Sequence, residues 1–162
     1  MSRIRSKDTT PEKTVRSLLH GMGFRFRLQG KVASRLHHKG RLPGNPDMVL
    51  AKYRTVIFVH GCFWHRHEGC KYATTPGTRT DWWKAKFARN VQRDRRGQAE
   101  LRSLNWQVII VWECELRDPT ALAERLDHAI RREPLQYPDR PARELLVADG
   151  EEEPGPGDSV TE

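Results

Sequence analysis

Two runs constrain the fold of this chain more than any other feature. Thr55 to Val59 reads TVIFV, and Gln107 to Trp112 reads QVIIVW. TVIFV is apolar on both of the faces that a strand presents, which is the pattern of a central strand covered from above and below. QVIIVW is predicted as a second strongly buried strand. Whatever else the chain forms must cover a sheet built around these two runs.

The segments around them supply the cover. Thr9-Thr10-Pro11-Glu12 reads as a helix start, with Thr9 as the cap and Glu12 reaching back in a capping box. Val15, Leu18, Leu19 and Met22 follow at i, i+3, i+4 and i+7 as one apolar stripe, and Gly23 suits the stop. Phe24 to Leu28 alternates apolar residues with Arg, as a half-buried strand does. Gln29 to Gly44 is basic and aperiodic, a loop. Asp47 to Leu50 reads as a short strand joined to Thr55–Val59 by a tight connection at 51–54. Thr80-Asp81 is read as the cap of a long helix whose apolar side is Trp83, Phe87, Val91, Leu101 and Leu104, with Gly97 weakening its middle. Asp118-Pro119 starts a last helix with the stripe Leu122, Leu126, Ile130. Helix, three strands, helix, strand, helix is a mixed α/β order, with helices flanking one sheet.

Charge narrows the partners. The net charge is +8, but seven of the 21 acidic residues lie between Glu144 and Glu162, a stretch without Lys or Arg. Residues 1–143 therefore hold all 29 basic residues against 14 acids, a net of +15. A body so basic suits a polyanion, because neutralised phosphates release condensed counterions; the competing account is a solvated surface that only keeps the protein soluble. No basic helix with a broad apolar face favours a membrane surface. The Pro-rich, acidic end, DGEEEPGPGDSVTE, is expected to be a disordered tail over 141–162 behind a domain at 1–140. No run of eighteen apolar residues and no signal-peptide centre are present, which reads as a cytoplasmic protein.

Cysteine usage points to metal. An odd three, Cys62, Cys70 and Cys114, argues against a disulfide framework. The segment His60-Gly-Cys-Phe-Trp-His-Arg-His-Glu-Gly-Cys70 packs two thiols and three imidazoles into eleven residues, and Cys114 follows the QVIIVW strand. Three cysteines and one histidine would close a tetrahedral zinc site and pin this irregular segment onto the sheet. Spacing leaves the histidine open: His67 can turn back towards the thiols, and His65 can instead face a cleft. The competing account is three buried thiols beside surface histidines.

A second constellation surrounds Asp47. It follows a Pro turn at the mouth of the 47–59 hairpin, where a carboxylate can bind Mg²⁺ with carbonyls, waters and phosphates completing the octahedron. The Glu-x-Lys that often follows on the next strand is missing; Phe58-Val59-His60 stands there. His60 and His65 are then the candidates to replace the lysine, one of them as the base that activates water. The plain alternative for Asp47 is a turn residue after proline. Glu12 and Asp94 are two further acids, with helix capping and i,i+4 surface pairing as their competing explanations.

Taken together, Thr-Pro-Glu-Lys at 10–13, Leu-Pro-Gly-x-Pro-Asp at 42–47, His-Gly-Cys-Phe-Trp-His at 60–65, Thr-Arg-Thr at 78–80, Asn-Val-x-Arg-Asp at 90–94 and Val-Trp-Glu-Cys at 111–114 resemble the very short patch repair (Vsr) endonucleases over residues 1–118. The resemblance implies a restriction-endonuclease-like fold and a nick 5′ to the thymine of a T:G mismatch left by deamination of 5-methylcytosine. By motif it implies Asp47 and the main-chain carbonyl of Val59 as magnesium ligands, and His65 as base with Asp94 supporting it. Glu12 and His60 then act around the metal waters, and Cys62, His67, Cys70 and Cys114 hold zinc. Phe63, Trp64 and Trp83 correspond to aromatics that wedge into the base stack beside the mismatch, where poor stacking lowers the cost; for Trp83, on a helix stripe, core packing is the rival. The partner implied is mismatched double-stranded DNA, bound by a monomer. Departures from the family are Val for Thr at 59, a longer loop before Leu42 with Lys31, Arg35, His37, His38 and Lys39, and a short arm before the first helix. The alternatives are a related nuclease of restriction or phage defence without mismatch specificity, and a non-catalytic zinc module that only binds DNA.

Overall fold

The computed structural model describes residues 8–33 and 40–131. The expectations for the acidic tail, the short N-terminal arm and the basic residues at 35–39 fall outside them. Helix α1 spans Thr10–Gly21, and strands β1 (Arg27–Leu28), β2 (Met48–Leu50) and β3 (Thr55–His60) follow. A four-residue helix α2 (Cys62–His65), a long helix α3 (Thr80–Ser103), strand β4 (Gln107–Trp112) and helix α4 (Pro119–Arg131) complete the chain. The four strands form one sheet in the order β1-β2-β3-β4. The first three are antiparallel neighbours and β3–β4 is parallel, so the mixed sheet flanked by helices is present as expected.

Side chains alternate across this sheet, as the period of two requires. Met48, Leu50, Ile57, Ile109 and Val111 pack with Val15 and Leu19 of α1 and with Leu122, Leu126 and Ile130 of α4. Val49, Val56 and Phe58 face the other way and pack with Leu42, Trp106 and Leu101 of α3. β3 is interior and buried along nearly its whole length, the position TVIFV foretold. Each fully buried aliphatic of this strand contributes about 1.5–3 kcal/mol from desolvation.

Three local expectations are corrected. QVIIVW, expected to be strongly buried, is so only at Ile109 and Val111, because it lies at the edge of the sheet; an edge strand lacks the second neighbour that would cover it. Of Phe24–Leu28 only Arg27 and Leu28 pair, because the partner strand β2 is three residues long. Phe24 is instead buried beneath the end of α1, where its N–H donates to the Leu19 carbonyl. Thr80 does not cap α3: Arg79 does, with a left-handed φ of 53°, while the Thr80 hydroxyl donates to the Pro76 and Gly77 carbonyls.

α3 also runs unbroken through Gly97, and packing explains the glycine. A Cβ there would lie 2.9 Å from the Gly44 Cα, closer than real side chains approach backbone. The helix and the turn before Asp47 touch backbone to backbone.

Candidate active site and metal centre

The site lies where the parallel pair β3–β4 ends. A parallel pair needs a long crossover, and here residues 61–106 supply it. Because His60 is in register with Trp112, Cys62 and Cys114, each two residues further on, leave the sheet side by side. His67 and Cys70 fold back to join them, and the ligand atoms of Cys62, His67, Cys70 and Cys114 all lie within 4.8 Å of one another. The Cys114 Sγ is 3.4 Å from the His67 Nε2. His67, which spacing left unsettled, is thus the histidine of the cluster. Three sulfurs and one imidazole nitrogen fit a closed tetrahedral metal site. Without a cation, burial pushes the Cys62 thiol up to about 12; a metal would reverse that preference by favouring thiolate.

On the other side of α2 is a cleft of about 950 Å³ whose walls include Glu12, Asp47, Val59, His60, His65 and Asp94. Asp47 stands between the Pro turn and β2, and its Oδ2 accepts the Val59 N–H at 2.7 Å. Burial, then the nearby Glu12 carboxylate, outweigh that bond and raise its pKa to about 6. Arg16 and His65 offset this rise only in part, and a hard cation would supply further positive charge. The oxygen not held by Val59 is the one free for it.

His65 closes α2, and the following Arg66 has a φ of 52° that turns the chain away. Its Nδ1 lies 2.5 Å from the Asp94 Oδ2. An anion at Nδ1 keeps the ring proton there and leaves Nε2 as acceptor. Asp94 therefore is no surface pairing residue. Burial acts to raise its pKa, but the His65 bond, with His60 and Arg93, outweighs that and holds it below the usual carboxylate range. His60 stacks on His65 with ring centroids 4.0 Å apart. Burial first, then the neighbouring His65, lowers its pKa to about 4, so it is neutral at physiological pH.

Glu12 is both a wall of the cleft and part of the helix cap. It lines the cleft, and it accepts from the Thr9 hydroxyl, the Asp8 N–H and Arg16 at 2.9–3.0 Å. The capping box is modified, since the backbone donor is Asp8 and not Thr9.

Phe63, Trp64 and Trp83 come together with Phe87 at ring distances of 4.9 to 6.0 Å. All three are half-buried, so Trp83 is both part of a packed cluster and open at its rim. Lys86 sets its amine 4.7 to 5.6 Å from the Trp64, Trp82 and Trp83 rings. Trp82, 49% exposed, and Lys86 escaped the sequence reading, because neither has a period or partner visible along the chain. Asn90 and Arg93 also line the cleft; both belong to the Asn-Val-x-Arg-Asp motif, in which the sequence marks only Asp94 as a candidate. Asn90 Nδ2 donates to the Trp64 carbonyl at 3.4 Å, tying α3 to α2.

An acid poised for a cation beside an oriented imidazole, above a basic surface, is the equipment of a phosphodiester hydrolase. The family model described as "DNA mismatch endonuclease Vsr" matches residues 1–71. Relatives extend the match over most of the chain. The type II nicking enzyme V.XorIIP of Xanthomonas oryzae is 49% identical over 78% of this chain and 85% of its own length. The DNA mismatch endonuclease Vsr of Escherichia coli K12 is 46% identical over 80% of each, and the type II nicking enzyme V.NmeAIP of Neisseria meningitidis is 42% identical over 81% and 86%. Among solved structures, the catalytic domain of the homing endonuclease I-Bth0305I has a TM-score of 0.48 at 20% identity, over 75% of this chain and 94% of that one. The chain belongs to the Vsr DNA mismatch endonuclease family, and is by that membership a DNA endonuclease. Among the described residues no helix is long and apolar enough to cross a membrane.

Proposed function

We propose that this protein, as a monomer, nicks one strand of duplex DNA 5′ to the thymine of a T:G mismatch, with Mg²⁺ as the catalytic metal and Zn²⁺ as a structural one. The observation that carries the proposal is the convergence of Asp47 and the His65–Asp94 pair in one cleft, with the aromatic cluster packed between α2 and α3 beside it. In this reading Asp47 and the Val59 carbonyl hold Mg²⁺, which supplies Lewis-acid polarisation of the scissile phosphate. His65 Nε2 takes a proton from the attacking water, and Asp94 keeps the ring oriented and stabilises the imidazolium that results. Glu12 and the neutral His60 accept from water in the cleft. Phe63, Trp64 and Trp83 enter the stack at the mismatch, where unstacking costs least. Cys62, His67, Cys70 and Cys114 hold zinc.

The test is a set of duplexes identical except for T:G, T:A or C:G at one position, incubated with Mg²⁺. The expected result is a nick in the T-containing strand of the T:G duplex alone. Equal cutting of all three duplexes would favour a nicking enzyme without mismatch specificity; the Xanthomonas and Neisseria relatives are type II nicking enzymes. No cutting, with binding retained, would reduce the protein to a DNA-binding zinc module.

A further inference from the structure

α3 carries two exposed sets of cations, one on each side of its buried face. Phe87, Gly97, Gln98 and Leu101 mark that buried face. Arg89, Arg93 and Arg96 follow one another at i, i+4 and i+7 and are all exposed; at 3.6 residues per turn they fall within about 60° of one another on the helix. Trp82 and Lys86 continue the same line towards the aromatic cluster, and Glu100 ends it. On the opposite flank stand Lys84, Arg95 and Arg102, equally exposed and equally charged. Only the first flank reaches the cleft, through Arg93, which lines it beside Asn90.

We infer that the Arg89–Arg93–Arg96 flank of α3 is a rail for the phosphates of one DNA strand, leading that strand from the aromatic cluster into the cleft, and that the Lys84–Arg95–Arg102 flank lies off the DNA. The physical case is one of position. Lys86 to Arg96 spans about 15 Å of helix, a length that covers several consecutive phosphates of one strand at 3.4 Å of rise each. The three arginines are not tightly held elsewhere: Arg93 makes only a loose ion pair with Asp94 at 3.6 Å, its side chain 71% exposed. Arg89 and Arg96 have neither ion pair nor hydrogen bond within the described residues. Long, uncommitted guanidinium groups beside a hydrolytic cleft suit phosphate contact, whereas the far flank has the same charge but no route to the cleft.

This inference rests on the DNA-nicking reading and fails separately from it. Two charge-matched triple variants of the full chain are compared, one with Arg89→Gln, Arg93→Gln and Arg96→Gln, the other with Lys84→Gln, Arg95→Gln and Arg102→Gln. Affinity for a T:G duplex and for its matched counterpart is measured across salt concentrations, without Mg²⁺, and unfolding curves establish that both variants are folded. Each lost phosphate contact lowers the slope of log affinity against log salt by about 0.9, so the first variant should lose roughly 2 to 3 from the slope on both duplexes. The second should change by less than about 0.5. Equal losses in the two variants would mean diffuse attraction and overturn the rail; no loss in the first would take α3 off the DNA. Neither outcome touches mismatch nicking by the unaltered chain, which the duplex panel reads independently.

Discussion

At the scale of single residues, the cleft holds an acid against its preference. An unfolded chain releases the Asp47 proton near 3.8, whereas the folded, metal-free protein keeps it to about 6. Between those values the folded state binds more protons, so this group's contribution to stability falls as pH rises through the window. Above about 6 the folded state bears the whole cost of the buried anion. Asp47→Asn should therefore stabilise the metal-free protein by about 1–2 kcal/mol at pH 8, a gain that shrinks to nothing near pH 4. The same variant should lose nicking by more than about 100-fold. Urea unfolding at several pH values checks this, and a gain that is constant with pH would contradict it. Asp94→Asn tests the other half of the site. It keeps the shape but can donate to His65 Nδ1 and so favour the wrong tautomer; nicking should fall by roughly 10²–10⁴-fold. Affinity for DNA should stay within about twofold, measured by direct binding without Mg²⁺.

At the scale of elements, two backbones meet at Gly44 and Gly97. Three residues beyond Gly44 is Asp47, and three residues before Gly97 is Asp94, so this contact spaces the two walls of the cleft. Helix propensity alone favours Ala at position 97 by about 1 kcal/mol. The 2.9 Å approach of its Cβ to the Gly44 Cα argues the other way. Gly97→Ala is expected to be destabilising by about 1 kcal/mol or more and to slow nicking about tenfold or more through displaced groups. Gly21→Ala in α1, where a Cβ meets nothing within 4 Å, is the control and should leave both quantities unchanged or slightly improved. Thermal unfolding and single-turnover rates decide between contact and propensity; a stabilised, fully active Gly97→Ala would mean that the cleft is not spaced here. Elements were legible where their periodicity was strong. α1 and α4 announced their buried stripes, and TVIFV its place inside the sheet. QVIIVW did not reveal that it sits at an edge, because an apolar strand reads the same whether one neighbour or two cover its backbone. Phe24–Leu28 showed the alternation of a strand but not the length of its partner, and partner length decides how much of it pairs.

At the scale of the whole molecule, Cys62, His67, Cys70 and Cys114 bring the irregular 61–79 segment against the end of β4, and the proposed zinc would tie the two together. Binding energy at such a cluster is folding energy. Cys114→Ala should cost on the order of 3 kcal/mol, roughly 10 °C in Tm for a chain of this size. Metal analysis of the purified protein should find close to one zinc per chain. Retention of one zinc and an unchanged Tm in the Cys114 variant would remove the structural role. The surface works at this scale as well: an excess of cations distributed over the body favours DNA in general, and only its arrangement around the cleft selects where a strand lies.

The chain alone determined the chemical inventory: which residues can hold soft and hard metals, which can carry a proton, and which runs must be buried, because those are properties of side chains and of short-range period. The motifs also sufficed to place it in its family. Spacing left the pairings open and the family resemblance could only imply some of them; the tertiary structure brings the partners together. His67 and not His65 joins the thiols, Asp94 meets His65 across 29 positions, and Trp82 and Lys86 reach the aromatic cluster. Each of these depends on the parallel register of β3 with β4 and on the path of α3 across the sheet, and contacts between residues far apart along a chain leave no trace in local spacing.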